Sequence, residues 1–450
     1  MSDVPRAWAR ERSLLVGLET DGDDHYAQVD SLEELASLVK TAGATVEQTV
    51  IQKLPHPTAP FYIGKGKAEE LAEICKEKDL QSVVFDDELS PAQSRNLSKV
   101  IGRKIIDRTQ LILDIFARRA KTKEGKLQIE LAQLQYLLPR LTRMWTHLSR
   151  QSGGIGTRGP GETQLEVDRR RVLEKIARLG RDLQAVRQHR ATQRHGRSRH
   201  NWPVVSLVGY TNAGKSTLFN RLTNAAVLAE DKLFATLDPT TRAVELPDRQ
   251  RVLFTDTVGF IKKLPTDLIE SFKATLEEVG EADILLHIVD LSHPQYDQQI
   301  VAVQQVLQQI GAHEKPAFLV LNKVDRVDPE AVRRALEFHA DSVAISAGTG
   351  EGIEGLLREV AVRLAARRSQ VEISIPNHES GLIAELHREG RVLEIAYEGD
   401  RVKISAAVPP SLKGRLQPYI VPPHEPPDHP RDAGRRASAR AAAGARGAGA

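Results

Sequence analysis

The sequence predicts a multidomain α/β protein interrupted by a long antiparallel helical hairpin. Two stretches, residues 13–107 and 202–368, alternate strand-like and helix-like patterns, as chains with a largely parallel sheet do. Between them, two runs with apolar residues at every third or fourth position flank a glycine-rich segment. The expected division is an N-terminal α/β domain over 1–110, the hairpin over 111–200, a second α/β domain with a mostly parallel sheet over 201–369, a small C-terminal α/β domain over 370–420 and a tail over 421–450.

The first domain opens with an apolar strand, Leu14-Leu15-Val16-Gly17-Leu18. Ser31 and Glu34 have capping-box spacing, which predicts a helix starting at Ser31. Thr45 to Gln52 alternates polar and apolar residues like a strand. An amphipathic helix over Lys67–Lys78, a buried strand over Ser82–Phe85 and a helix opening at Ser90-Pro91 follow. In the hairpin, Leu127, Leu131, Leu134, Leu138, Leu141, Trp145 and Leu148 form one stripe, and Leu165, Val172, Ile176, Leu179, Leu183 and Val186 form another. The intervening Gly153, Gly154, Gly156, Gly159 and Gly161 stop any helix, and Arg118–Arg143 reads as the first long helix. Beyond the second α/β domain, Val371 to Ile420 reads strand, helix, strand, strand, helix. The last residues are clustered prolines followed by an Ala, Gly and Arg tract, the composition of a disordered basic tail.

Composition narrows the class. The 450 residues are 40% hydrophobic and 27% charged with a net charge of +3, which suits a soluble globular protein. No apolar run reaches the roughly 18 residues of a membrane span, and the N-terminus lacks the apolar core of a signal peptide. One cysteine, Cys75, leaves no internal disulfide. A cytoplasmic location is expected, with the inner face of a membrane as the alternative. His287, His293 and His313 have no metal-site spacing with the acids or with Cys75.

The chemistry lies in 201–369. The strand Val204–Val208 runs into Gly209-Tyr210-Thr211-Asn212-Ala213-Gly214-Lys215-Ser216, a phosphate-binding loop, and Thr217 begins a helix. Glycines let the backbone wrap phosphate with its amides turned inward, and the helix N-terminus favours the anionic charge. Lys215 is expected on the β- and γ-phosphates, and the Ser216 hydroxyl on Mg²⁺. A second strand, Arg251–Thr255, ends in Asp256-Thr257-Val258-Gly259. The acid can hold Mg²⁺ through water, and the glycine amide can sense the γ-phosphate. A third strand, Phe318–Leu321, ends in Asn322-Lys323-Val324-Asp325. A carboxylate there accepts two hydrogen bonds from guanine, which adenine cannot supply. Such a site rejects the wrong base by a factor on the order of 10⁴, so the nucleotide is read as GTP. A last strand, Val343–Ala347, brings Ser346 and Ala347 to the base.

These motifs resemble the translation-factor-related class of P-loop GTPases, which makes 201–369 a Ras-like GTPase domain. The resemblance implies that Phe234-Ala235-Thr236-Leu237-Asp238-Pro239 is a switch loop whose Thr236 closes on Mg²⁺ when GTP is bound, with Thr240 and Thr241 as competing positions. Lys215, Thr236 and Gly259 are then the residues expected to serve hydrolysis. Across about Leu14 to Ile420 the chain also resembles the HflX family of ribosome-associated GTPases, through Tyr62-Ile63-Gly64-Lys65-Gly66-Lys67, Arg118–Arg143, the run Gly153–Glu166, the phosphate loop and the switch loop. That likeness implies binding to the large (50S) ribosomal subunit and its rRNA, with the hairpin tip directed at the peptidyl transferase centre, and splitting or rescue of stalled ribosomes under stress. A monomer is expected.

Three further readings attach to particular residues. Phe260 follows Gly259 where Ras-like GTPases place a water-orienting glutamine, so slow intrinsic hydrolysis is expected. Asn212 has two readings, a potassium ligand as in some related GTPases or a loop-stabilising residue. Tyr62–Lys67 is either a phosphate-binding turn, in keeping with the ATP binding linked to this family, or simply a turn that starts a helix. Arg140, Arg143, Arg150 and Arg158 gather near the tip, Arg169, Arg170 and Arg171 lie on the return helix, and Arg187, Arg190, Arg194, Arg197 and Arg199 follow with His189, His195 and His200. Arginine beside glycine suits folded RNA, although a charge run can also be a solvated helix face. Two rival functions remain: an ATP-driven RNA-remodelling protein, and a regulatory switch for a protein partner.

Overall fold

The computed structural model describes residues 11–22, 24–144, 160–197, 202–223, 233–263, 265, 278–408 and 410–421. The chain divides into two units, one up to Ala361 and one from Val362.

In the first unit, β1 (Arg12–Glu19), β2 (Thr45–Lys53), β3 (Ser82–Phe85) and β4 (Lys104–Asp107) form a parallel sheet in the order β2-β1-β3-β4. Leu14, Leu15 and Val16 of β1 are fully buried because helices cover both faces. Helices α1 (His25–Ala42) and α4 (Arg108–Arg119) pack Leu35, Leu38, Ile112 and Phe116 on the side of Leu15. Helices α2 (Lys65–Glu77) and α3 (Pro91–Ile101) pack Leu71, Cys75 and Leu97 on the side of Leu14 and Val16. Cys75 is wholly buried, and burial pushes its thiol pKa up. Ser90 and Gln93 form the reciprocal capping box of α3.

The reading at Ser31 is corrected. Helix α1 starts at His25, capped by Asp24, whose carboxylate accepts from the Tyr26 amide. Ser31 lies mid-helix, and its hydroxyl donates to Asp86 at 2.7 Å. Tyr62–Gly64 leads into α2, and Lys65, Gly66 and Lys67 form the helix's first turn. Tyr62 has a left-handed φ of 69°, and the Gly64 amide donates to Gln52.

The expected helix over Arg118–Arg143 is two helices. Helix α4 ends at Arg119, and α5 runs Lys123–Met144. The return helix α6 spans Pro160–Arg197 and lies alongside α5, with Lys175 Nζ 2.6 Å from Glu130. Trp145, Leu148 and the glycines from Gly153 to Gly159 fall outside the described residues, as do 422–450. Arg140 is not available to RNA. Its guanidinium donates to the Leu89 carbonyl and to Asp107, and it lies 3.4 Å over the Tyr136 ring. Arg169, Arg170 and Arg171 are exposed on α6.

The second sheet holds β5 (Val204–Gly209), β6 (Thr240–Glu245), β7 (Arg251–Asp256), β8 (Ile284–Asp290), β9 (Ala317–Asn322) and β10 (Ser342–Ala344), in the order β10-β9-β8-β5-β7-β6. Only β6 is antiparallel. Its helices are α7 (Lys215–Thr223), α8 (Tyr296–Gln309), α9 (Pro329–Phe338) and α10 (Ile353–Ala366). The strand expected to reach Ala347 stops at Ala344, because Ser346 pairs with Glu351 and Gly350 in a turn instead of with the sheet. One apolar cluster joins Leu15, Phe116 and Ile129 to Tyr210, Phe234, Phe260 and Leu285, so the N-terminal sheet and the second sheet share a core.

The second unit contains β11 (Ser369–Pro376), α11 (Ser380–Glu389), β12 (Arg391–Glu398), β13 (Arg401–Val408) and α12 (Pro410–Leu416), the order read from sequence. Its sheet is antiparallel in the order β11-β13-β12, and Ile373, Ile404, Leu386 and Leu412 share one core. Among the described residues no helix is long and apolar enough to cross a membrane.

Candidate nucleotide site

Strand β5 delivers the backbone at Gly209 to a loop that turns into α7 at Lys215. Gly214 has φ +96°, and a Cβ there would lie 2.2 Å from Asn322 Nδ2, so only glycine fits. A Cβ on Gly259 would lie 2.9 Å from Thr211 Cα and 3.0 Å from Lys215 Nζ. Strand end and phosphate loop therefore approach backbone to backbone. Asn212 stands at φ +61°, which asparagine tolerates better than most residues.

Lys215 is buried and donates to the Gly209 carbonyl at 3.0 Å and the Tyr210 carbonyl at 2.7 Å. An ammonium has three donors, so one remains for a phosphate oxygen. Burial lowers its pKa to about 8, and the charge of Asp256 works against that shift. Three oxygen donors converge beside it. Ser216 Oγ is 2.8 Å from Thr236 Oγ1 and 2.8 Å from Asp256 Oδ2, and Thr236 Oγ1 donates to Asp256 Oδ2 at 2.9 Å. Asp256 Oδ1 is buried and has no hydrogen-bond partner among the described residues. Burial raises the Asp256 pKa, opposed by Lys215 and the two hydroxyls. A cluster of hard oxygens with one unsatisfied carboxylate oxygen fits a small divalent cation such as Mg²⁺. Of the threonines weighed, Thr236 is the one at this cluster. Thr240 and Thr241 lie in β6.

Thr211, Asn212, Gly214, Lys215, Ser216, Thr217, Phe234, Ala235, Thr236, Thr257 and Gly259 line one cavity. The Thr257 hydroxyl is tied to the Leu207 carbonyl at 2.6 Å. The Phe260 amide donates to the Gly209 carbonyl and its carbonyl accepts from Thr211, pinning this turn to the phosphate loop. The Phe260 ring lies in the shared core.

Three readings shift. Leu237 and Val258 turn their side chains into the core, so only their backbone can serve a ligand. The Asp238 carboxylate accepts from the amides of Lys121 and Thr122, at 2.9 and 3.0 Å, and from the Thr122 hydroxyl. It holds the segment just ahead of α5 and does not line the nucleotide cavity.

At the base end, Asn322 is a brace. Its Nδ2 donates to the Ala213 carbonyl at 2.7 Å, and its Oδ1 accepts from the Ala347 amide at 2.9 Å. Lys323 has a left-handed φ of 65° and holds Asp290 at 2.6 Å. The Val324 amide donates to the Ile345 carbonyl. Asp325 keeps a third of its side chain exposed, with Arg326 at 3.9 Å. The buried Ser346 hydroxyl accepts from the Thr349 amide.

A charged layer that no motif signals backs the phosphate loop. The Tyr210 hydroxyl accepts from the Lys262 amide at 2.7 Å and donates to Glu34. Arg108, wholly buried, pairs with Glu34 and with Asp86 at 2.8 Å, and burial brings its pKa down to about 10. Lys263 reaches Asp86 and Asp87, each at 2.6 Å, and Lys262 reaches Asp30 at 3.1 Å. Buried charges persist only when paired in this way. The partners are as far as 232 positions apart in the chain, beyond the reach of any local pattern.

Strand, phosphate loop, helix and acidic strand end on this sheet define a P-loop GTPase. Residues 29–117 match the family described as GTP-binding GTPase N-terminal, 119–197 the GTP-binding GTPase middle region, and 204–323 the 50S ribosome-binding GTPase. The chain is 48% identical to GTPase HflX of Lacrimispora saccharolytica, covering 89% of this chain and 94% of that protein. For GTPase HflX of Magnetococcus marinus the values are 46%, 86% and 90%, and for that of Escherichia coli 47%, 83% and 88%. The chain belongs to the GTPase HflX family. It binds GTP and hydrolyses it to GDP and phosphate.

Proposed function

We propose that this GTPase acts on the large ribosomal subunit, where it splits or rescues stalled ribosomes under stress, and that the subunit stimulates its hydrolysis. The observation that carries the reading is Phe260. Its ring is packed in the core, 3% exposed, at the position where a glutamine would orient the attacking water. That position offers no such group, and activation comes from a partner. The match of 204–323 to the family described as 50S ribosome-binding GTPase supports a ribosomal partner. The exposed Arg169, Arg170 and Arg171 supply positive charge for rRNA.

In this reading the amides of 209–216 and the Lys215 ammonium hold the triphosphate, the Gly259 amide meets the γ-phosphate, and Asp325 selects guanine. Ser216 and Thr236, backed by Asp256, would hold Mg²⁺, which when bound neutralises charge building on the phosphate oxygens. The nucleophile is water. Release of phosphate would free Thr236 and loosen the switch loop.

Turnover of GTP by the full chain, with and without purified large subunits, tests this. Partner activation of related sites is worth up to about 10⁵ in rate, and stimulation of at least 10²-fold is expected here. Equal rates would remove the proposal.

A further inference from the structure

The switch loop is fastened at both ends to residues outside the GTPase domain. At its start, Phe234 takes a left-handed φ of 56° and packs edge-on against Phe116 of α4, with ring centroids 4.6 Å apart. At its end, Asp238 holds the segment just ahead of α5, accepting from the amides of Lys121 and Thr122 and from the Thr122 hydroxyl. Thr122 Oγ1 in turn accepts from the Gly125 amide at 3.0 Å, closing the first turn of α5. The fit is tight, since a Cβ on Gly125 would come within 2.8 Å of Asp238 Oδ1. Thr236 lies midway between the two fastenings, with its hydroxyl on Ser216 and Asp256.

A span of five residues fixed at both ends leaves its central residue little freedom. A carboxylate that accepts from two successive backbone amides and a hydroxyl is a strong, oriented contact. We propose that Thr122, at the root of the hairpin, is a positioning residue for the nucleotide reaction: through Asp238 it holds Thr236 where the triphosphate form requires it. This rests on the reading that Thr236 serves the metal of bound GTP. Thr122 does not line the nucleotide cavity. Its contribution therefore falls on GTP, which uses Thr236, and spares GDP, which does not. By reciprocity, GTP stabilises the seat of Asp238 on α5 to the same degree.

The test measures affinity for GDP and for a non-hydrolysable GTP analogue, with Mg²⁺, on the full chain and on Thr122→Ala, Thr122→Ser and Gly125→Ala. Thr122→Ala is expected to weaken the GTP analogue about tenfold and GDP less than twofold. It should also raise the Mg²⁺ concentration needed for half-saturation with the analogue. Thr122→Ser restores the native ratio, and Gly125→Ala, which displaces Asp238, repeats the loss. An unchanged ratio in Thr122→Ala, or equal weakening of both nucleotides, overturns the proposal. Should Thr122→Ala not fold, the ratio in Gly125→Ala decides in the same way. Failure of the native chain to bind either nucleotide would instead overturn the guanine-nucleotide reading itself.

Discussion

The phosphate end and the base end of the site are built on opposite terms. At the phosphate end Lys215, Ser216, Asp256 and Thr236 interlock, and the Glu34–Arg108–Asp86 layer of another sheet backs them. At the base end Asp325 stands a third exposed on a single 3₁₀ turn, which Asn322, the Val324 amide and the Lys323–Asp290 pair tie inward. On the proposed reading, binding strength comes from the buried cradle and base choice from one accessible carboxylate. Affinity and selectivity should therefore separate under mutation.

The largest effect should come from the base end. Asp325→Asn replaces two acceptor oxygens with one acceptor and one donor. GTP efficiency, measured as kcat/KM, should fall by about 10³-fold or more. Xanthosine triphosphate, whose ring presents a carbonyl in place of the guanine amino group, should become the better substrate. If GTP turnover survived in Asp325→Asn, the division of labour would be wrong.

Asn322→Ala should act at both ends, because it orphans the Ala213 carbonyl and the Ala347 amide. An unpaired buried group costs about 1–3 kcal/mol. Affinities for GTP and GDP should fall together, by roughly tenfold or more, in calorimetry. Loss of GTP affinity alone would mean that the brace serves the switch loop rather than the frame.

The smallest effect concerns the sheet itself. His287 in β8 is buried, and desolvation, helped by the charge of Lys215, lowers its pKa to about 3. The unfolded chain takes up a proton near pH 6.5 and the folded one does not, so this residue costs stability as pH falls from 6.5 towards 3. The slope is at most about 1.4 kcal/mol per pH unit. Denaturation across that range should show a slope smaller by about one proton in His287→Leu, with nucleotide affinity at pH 7.5 changed less than twofold.

What the sequence revealed follows the same divide. The phosphate loop, the DxxG turn and the NKxD turn are contiguous, and each follows an apolar strand, so residue type and spacing suffice. The break between α4 and α5 could not be read. Ala120, Lys121 and Thr122 include no glycine or proline to stop a helix, the local cap is a lone threonine whose hydroxyl accepts from the Gly125 amide, and the carboxylate that holds this segment, Asp238, lies 116 positions away. Ser31 and Glu34 have the letters of a capping box, yet Asp24 starts the helix, and those two side chains serve Asp86, Arg108 and Tyr210. Strand β8 escaped notice because a short apolar run has no period to mark it. Arg140 looked like an RNA contact because its partners Leu89 and Asp107 are brought to it only by folding.

The burial of Cys75 has a practical consequence. It is the only thiol in the chain, it has no exposed surface, and its raised pKa keeps it protonated at neutral pH. Maleimide dyes, which need an accessible thiolate, should leave the native protein unlabelled. A cysteine placed on α6, with a second on the GTPase sheet, would then carry both fluorophores without a cysteine-free background, and energy transfer between them could follow the hairpin through a cycle of hydrolysis.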